Sequence, residues 1–67
     1  MDNFNAVVPT HDHTFVGIVA LCERYEIKME MVKVTNYRDL RCEVQFTGFG
    51  EDIQLLKDEY EESIDIL

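Results

Sequence analysis

The sequence predicts a small α+β domain in which four antiparallel strands form one sheet and two helices cover one of its faces. Three observations lead to this prediction. The 67 residues are enough for one domain, residues 1–67, with a thin core. Hydrophobic residues make up 46% of the chain and charged residues 30%, which is an ordinary globular composition. Apolar residues recur with helical spacing in two segments, and strand-like segments flank them in the order strand, helix, strand, strand, helix, strand.

The first strand is predicted over residues 4–8, which are rich in β-branched and aromatic side chains. It ends at Pro9, because proline has no amide hydrogen to extend a ladder. The polar loop 9–13 follows. Three residues in or beside this loop are able to cap the next helix: Thr10, Asp12 and Thr14.

The first helix is predicted over residues 14–26. Its apolar stripe recurs at steps of three and four residues and consists of Phe15, Ile18, Val19, Cys22 and Tyr25. Val16, Gly17 and Ala20 lie outside this stripe. The helix is therefore apolar over a wide arc, which indicates a second buried contact or a partner surface, and we expect Val16 and Ala20 to contribute to the latter.

The second strand is predicted over residues 27–36, where the alternation of apolar and polar residues slips by one at Met31-Val32. A one-residue slip turns every later side chain to the opposite face, and a β-bulge would absorb it. The alternative is a strand that is covered on both faces at this point. Depending on the bulge, either Met29 and Met31 or Val32 and Val34 face outward, where such a pair would form a partner site.

The third strand is the clearest in the chain. After a hairpin connection at 36–39, residues 40–47 alternate strictly, with an apolar set that consists of Leu40, Cys42, Val44 and Phe46. The polar residues between them are Arg41, Glu43, Gln45 and Thr47, which lack the aromatic and basic side chains of an RNA-stacking sheet. Gly48-Phe49-Gly50 breaks the pattern and permits positive φ angles.

The second helix is predicted over residues 51–62, with an apolar stripe of Ile53, Leu56 and Tyr60. The tail 63–67 has two interpretations. Ile64 and Ile66 alternate as in a strand, whereas Ile64 and Leu67 would continue the helical stripe. We favour a short final strand, because Ser63 is a break and isoleucine suits a pleated surface.

This order of elements is that of the ferredoxin-like βαββαβ sandwich, a four-stranded antiparallel sheet with two helices on one face. Both helical stripes and one strand face then share a single core. A helical tail would instead leave a three-stranded sheet with two helices.

Residues 7–34 resemble the first half of an ACT-type regulatory domain, which has a strand, an Asp-containing loop that opens a helix, and a strand rich in β-branched residues. Asp12-His13-Thr14-Phe15 stands where these domains have Asp-x-x-Gly. Phe15 replaces the glycine that lets the backbone approach a bound amino acid. The resemblance implies a regulatory, oligomeric module that pairs side by side. It also implies a small-ligand site in this loop, at Thr10, Asp12 and Thr14.

The net charge of −8 argues against nucleic acid as a direct ligand and against an anionic membrane surface, because both need clustered Lys and Arg. No apolar run is long enough for a transmembrane helix, and no basic start indicates a signal peptide. Cys22 and Cys42 lie in apolar patterns outside any CxxC pair, so we expect two small buried thiols in a cytoplasmic protein. A single disulfide in a secreted protein is the alternative.

Few residues are candidates for chemistry. His11, Asp12 and His13 are the one local cluster of metal-ligand types, but three adjacent ligands lack a fourth, and we expect a solvated loop there. Neither buried cysteine is an activated nucleophile, and no lysine-bearing phosphate loop is present. The carboxylates near Glu59 fit a solvated helix face better than paired acid–base work. We therefore expect no catalytic centre and no cofactor.

Three functions remain. The first is a non-catalytic binding or regulatory module that acts through protein–protein contacts, including self-association through the sheet, as in an accessory factor or a phage-made inhibitor of a host enzyme. The second is an acidic decoy for a nucleic-acid-binding cleft, because residues 51–67 hold seven acids and one base, a net charge of −6. The third is the ACT-like ligand sensor. The expected partner-binding residues are Val16, Ala20, Met29, Met31, Asp58, Glu59 and Glu62.

Overall fold

The computed structural model describes all 67 residues and has the predicted order of elements. These are β1 (Asp2–Pro9), α1 (His13–Arg24), β2 (Lys28–Asn36), β3 (Arg41–Gly48), α2 (Gly50–Tyr60) and β4 (Asp65–Ile66). The strands form one antiparallel sheet in the order β2-β3-β1-β4. The predicted α+β ferredoxin-like fold is confirmed, and the tail forms the short final strand instead of continuing the helix.

The core lies between the sheet and the two helices. Alternate residues of the two central strands are buried and pair directly across the sheet, so they share one face: Phe4 with Phe46, Ala6 with Val44 and Val8 with Cys42. The rings of Phe4 and Phe46 stack with centroids 5.0 Å apart. Burying a side chain of this size contributes about 1.5–3 kcal/mol, so a core of only twelve residues depends on each of them.

Helix α1 begins one residue before its predicted start and ends two residues before its predicted end. The Asp12 side chain is its N-cap and accepts hydrogen bonds from the amides of Thr14 and Phe15 at 3.0 and 3.4 Å. At the other end Glu26 has a φ of +57°, and the Ile27 amide donates to the Cys22 carbonyl at 2.8 Å. This is the Schellman pattern, which stops a helix and directs the chain into the next strand.

The predicted start of β3 at Leu40 is wrong. Leu40 has a φ of +52°, belongs to the hairpin turn and is 49% exposed, so it does not join the core. Its carbonyl instead accepts hydrogen bonds from the Thr10 amide at 3.0 Å and the Thr10 hydroxyl at 2.6 Å. These bonds also explain why β1 extends to Pro9, whose missing amide falls on the last position of the strand, opposite Arg41.

Helix α2 packs as predicted through Ile53 and Leu56, which are buried, and through Tyr60, which lies against the core. Gly17 of α1 leaves room for the Tyr60 side chain of α2, because a Cβ atom there would collide with the Tyr60 hydroxyl. The expected positive φ angles at Gly48 and Gly50 are absent. Gly48 is small for another reason: a Cβ atom there would come within 3.2 Å of the Ile27 side chain.

Candidate protein-binding surface

The most exposed regular element of the fold is β2, at one edge of the sheet. It has nine residues and pairs only with β3, so the backbone groups along its other side have no strand partner. The opposite edge is β4, which has only two residues. An unpaired strand of this length is a template for adding another strand.

The predicted bulge at Met31-Val32 is confirmed, and it decides which side chains share a face. Met31 lies opposite Val44, and the next paired residue is Lys33, opposite Glu43, so Val32 is the extra residue of the bulge. A second irregularity falls between Val34 and Asn36.

The bulge corrects the expectation that one apolar pair of β2 faces outward. Met29, Met31 and Val34 all lie opposite buried residues of β3, which places all three on the helix side of the sheet. Met29 is half-buried and packs against the core. Beyond it the helices no longer cover the strand, because Met31 is 59%, Val32 51% and Val34 40% exposed. The sheet edge therefore carries an apolar strip, defined here as Met31, Val32 and Val34.

The outer face of the sheet is polar, and some of its side chains form hydrogen bonds or ion pairs with one another. Asn5 donates to Glu43 at 2.7 Å, and Arg41 forms a 3.3 Å ion pair with Asp65. These contacts join neighbouring strands β1, β3 and β4 across the open face. No apolar pair lies among them, so an association through the sheet has its apolar surface at the β2 edge.

The turn between β2 and β3 is well ordered by side chains. The Asp39 amide donates to the Asn36 side chain at 3.0 Å, and the Asn36 side-chain amide donates to Asp39 at 3.0 Å. This turn leaves Tyr37 largely exposed. Residues 28–41 hold four bases and two acids, a net charge of +2, whereas the rest of the chain holds two bases and twelve acids. Residues 28–41, which comprise β2 and the turn that follows it, are thus the one basic part of an acidic protein.

A second candidate surface lies on the helices. Val16 and Ala20 are exposed on α1, in agreement with their place outside the apolar stripe. Ala20 also lines a groove of about 390 Å³ between the helices, together with Gly17, Leu21, Arg24, Tyr25, Leu55, Glu59 and Tyr60. Arg24 and Glu59 stand on opposite helices of this groove and do not form an ion pair.

The expected acidic residues Asp58, Glu59 and Glu62 are all exposed. Asp58 accepts a hydrogen bond from Gln54 at 2.9 Å, one helical turn earlier. The second helix and tail therefore present the concentrated negative charge that the sequence predicts, and the tail ends in β4 at the sheet edge opposite β2.

The loop before α1 uses its polar atoms within the chain. Thr10 bonds to Leu40, and Asp12 caps the helix through the amides of Thr14 and Phe15. His11 and His13 are exposed, and no three potential metal ligands of the chain lie close enough together to hold an ion. The expected ligand site therefore coincides with atoms that already have partners.

Cys22 and Cys42 are buried and free, as predicted, and are not joined by a disulfide. Burial raises the pKa of the Cys22 thiol from 9.0 to about 11, which keeps it protonated at neutral pH. A protonated, buried thiol is a poor nucleophile.

Neither helix combines the length and the apolar character that a membrane crossing requires.

The slipped phase of β2 left two outward pairs open, Met29 with Met31 or Val32 with Val34, and the structure matches neither division. Met29 is half-buried, whereas Met31 is exposed together with Val32 and Val34. Tyr37 and Leu40 also become exposed in the turn. The available signal was the slip itself, because a bulge in a strand at a sheet edge leaves apolar residues that the core does not use.

Comparisons with models of protein families, with curated proteins and with solved structures gave no match for this chain.

Proposed function

We propose that the protein is a non-catalytic binding module that recognises another protein chain through the free edge of β2. The observation that carries the proposal is the apolar strip on an unpaired nine-residue strand. Recognition of this kind uses main-chain hydrogen bonds for affinity and the alternate side chains for specificity. The β2 edge supplies unpaired main-chain groups and exposed apolar side chains for these two purposes.

The charge distribution supports the same surface. Like charges on two acidic proteins repel, but residues 28–41 are locally basic. A partner segment that approaches this edge avoids the acidic tail, which ends in β4 at the opposite edge.

Two other functions have less support. The polar atoms of the expected small-ligand loop are engaged by Leu40 and by the start of α1. The acidic decoy depends on an exposed row of carboxylates, which an ordinary solvated helix face explains equally well. A decoy would bind a basic protein, and its binding would weaken steeply with salt.

The test compares four immobilised proteins: the wild type, an edge variant with Met31→Lys and Val34→Lys, a helix variant with Val16→Glu and Ala20→Glu, and an acid variant with Asp58→Asn, Glu59→Gln and Glu62→Gln. Each is exposed to cell extract and to tagged soluble copies of the chain. We expect only the edge variant to lose binding, by about tenfold or more, because its lysines disrupt a packed interface.

The alternatives give different results. Loss of binding in the helix variant alone would move the surface to the groove between the helices and contradict the β2 assignment. Loss in the acid variant, with a steep salt dependence, would favour the decoy. All the substituted residues are exposed in the structure, and far-UV circular dichroism checks that each variant folds.

A further inference from the structure

We infer that the chain bound at the β2 edge is a second copy of this protein, paired antiparallel about a two-fold axis that passes next to Met31. This inference rests on the proposed function, because it names the partner of the same edge. It follows from the register of β2 and from the order of its charges.

The bulge sets the spacing of those charges. Measured against β3, Glu30 lies opposite Gln45, Met31 opposite Val44 and Lys33 opposite Glu43, so Glu30 and Lys33 stand one position on either side of Met31. Both lie on the outer face of the sheet. With Val32 left out of the ladder in both copies, as it is against β3, an antiparallel pair centred on Met31 places Glu30 of each copy directly opposite Lys33 of the other, giving two cross-strand ion pairs.

The helix side of the junction is equally complementary. In the same register the two Met31 side chains meet at the axis, and Met29 of each copy lies opposite Val34 of the other. Met31 and Val34 are exposed in the single chain and would be covered in the pair. The apolar strip of one copy thus packs against the same strip of the other, as a two-fold interface requires.

Neighbouring registers are opposed by charge. A pair centred on Glu30 places the two Glu30 carboxylates opposite each other and Lys28 opposite Lys33. A pair centred on Lys33 places the two lysines opposite each other. Like charges directly opposite are destabilising, so the side chains favour the Met31 register over both of these. A pair centred on Met29 also opposes unlike charges, Lys28 and Glu30, but it joins only residues 28–30 of each β2 and leaves the apolar strip uncovered.

The long-range field is compatible with this pairing. Each copy carries a net charge of −8, but residues 51–67 hold −6 of it and end in β4, at the sheet edge away from β2. Joining two copies at β2 keeps the acidic tails apart. Residues 28–41, which carry a net charge of +2, then lie near the junction.

The experiment is a charge exchange that is read by sedimentation equilibrium over a wide range of protein concentration. We expect the wild type to form dimers, and Glu30→Lys or Lys33→Glu alone to associate about tenfold more weakly or worse, because each variant faces like charges at both pairs. An equimolar mixture of the two variants restores opposite charges and should recover dimers, as should the double variant with both exchanges. Recovery in the mixture also shows that both variants fold.

Glu61→Lys and Arg38→Glu are the matched controls, since they make the same changes of charge at exposed positions outside β2, and both should dimerise like the wild type. A wild type that stays monomeric overturns the inference, and so does a mixture that fails to recover dimers. If the wild type is monomeric but the edge variant still loses a protein captured from the extract, the proposed function stands and only the second copy is excluded. If the edge variant changes nothing as well, both fall.

Discussion

Cys22 shows how a single residue can be chemically silent and still influence stability. Only 3% of its surface is exposed, and it packs in the core formed by α1 and the sheet. Burial disfavours the thiolate, so the pKa in the folded protein rises from 9.0 to about 11. The unfolded chain has no such constraint and ionises first as the pH increases.

We predict that the free energy of unfolding falls as the pH rises from about 9 to about 11. In this window the unfolded chain has released the Cys22 proton and the folded chain has kept it, so stability declines by up to about 1.4 kcal/mol per pH unit. Urea titrations at several pH values measure the decline. Cys22→Ala should flatten this slope, whatever it does to stability at neutral pH, and an equal slope in the variant would contradict the assignment.

At the scale of elements, the end of α1 contains a residue in an unfavourable backbone conformation. Glu26 follows the last helical turn with a φ of +57°, at the position where helices usually place glycine. A side chain with a Cβ atom is strained in this region by about 1 kcal/mol. Glu26 is exposed, so its side chain offers little packing in return.

Glu26→Gly is therefore expected to stabilise the protein by up to about 1 kcal/mol, because glycine adopts this conformation freely. Thermal and chemical denaturation give the change. Glu23→Gly is the matched control: it makes the same substitution within α1, where glycine costs about 1 kcal/mol, and should destabilise. A loss of stability in both variants would show that Glu26 does not adopt the left-handed conformation in solution.

Across the whole molecule, negatively charged side chains outnumber positively charged ones, and few of them form ion pairs. Fourteen acids face six bases, and two ion pairs are present, Lys28–Glu30 at 2.8 Å and Arg41–Asp65 at 3.3 Å. Both pairs are exposed to a degree that makes them weak. Repulsion among the acids of α2 and the tail therefore outweighs attraction.

We expect the melting temperature to rise when the salt concentration increases from low to physiological values, because salt screens this repulsion. Glu61→Gln with Glu62→Gln should raise the melting temperature at low salt and reduce its dependence on salt. A melting temperature that falls with added salt would mean that attractive pairs dominate. Differential scanning calorimetry at several protein concentrations separates this effect from association, because only association makes the melting temperature depend on concentration.

Much of the architecture was predictable because it depends on local periodicity. Strict alternation in β3, the apolar stripes of both helices and the slip at Met31-Val32 each correspond to an element or a bulge in the structure. Leu40 was assigned to a strand because it continues the alternation. The turn instead required a left-handed residue there, and alternation carries no information about the sign of φ.

The amino-acid sequence alone determined the fold class, the phase slip at Met31-Val32 and the acidic end of the chain, because side-chain period and charge are properties of each residue in turn. Only the tertiary structure decided that β2 lies at an edge, that the helices leave Met31 and Val34 uncovered, and that the loop atoms of Thr10 and Asp12 are already bonded. Strand order and coverage depend on contacts between residues far apart in the chain. For that reason the binding surface emerged only when the elements were placed together.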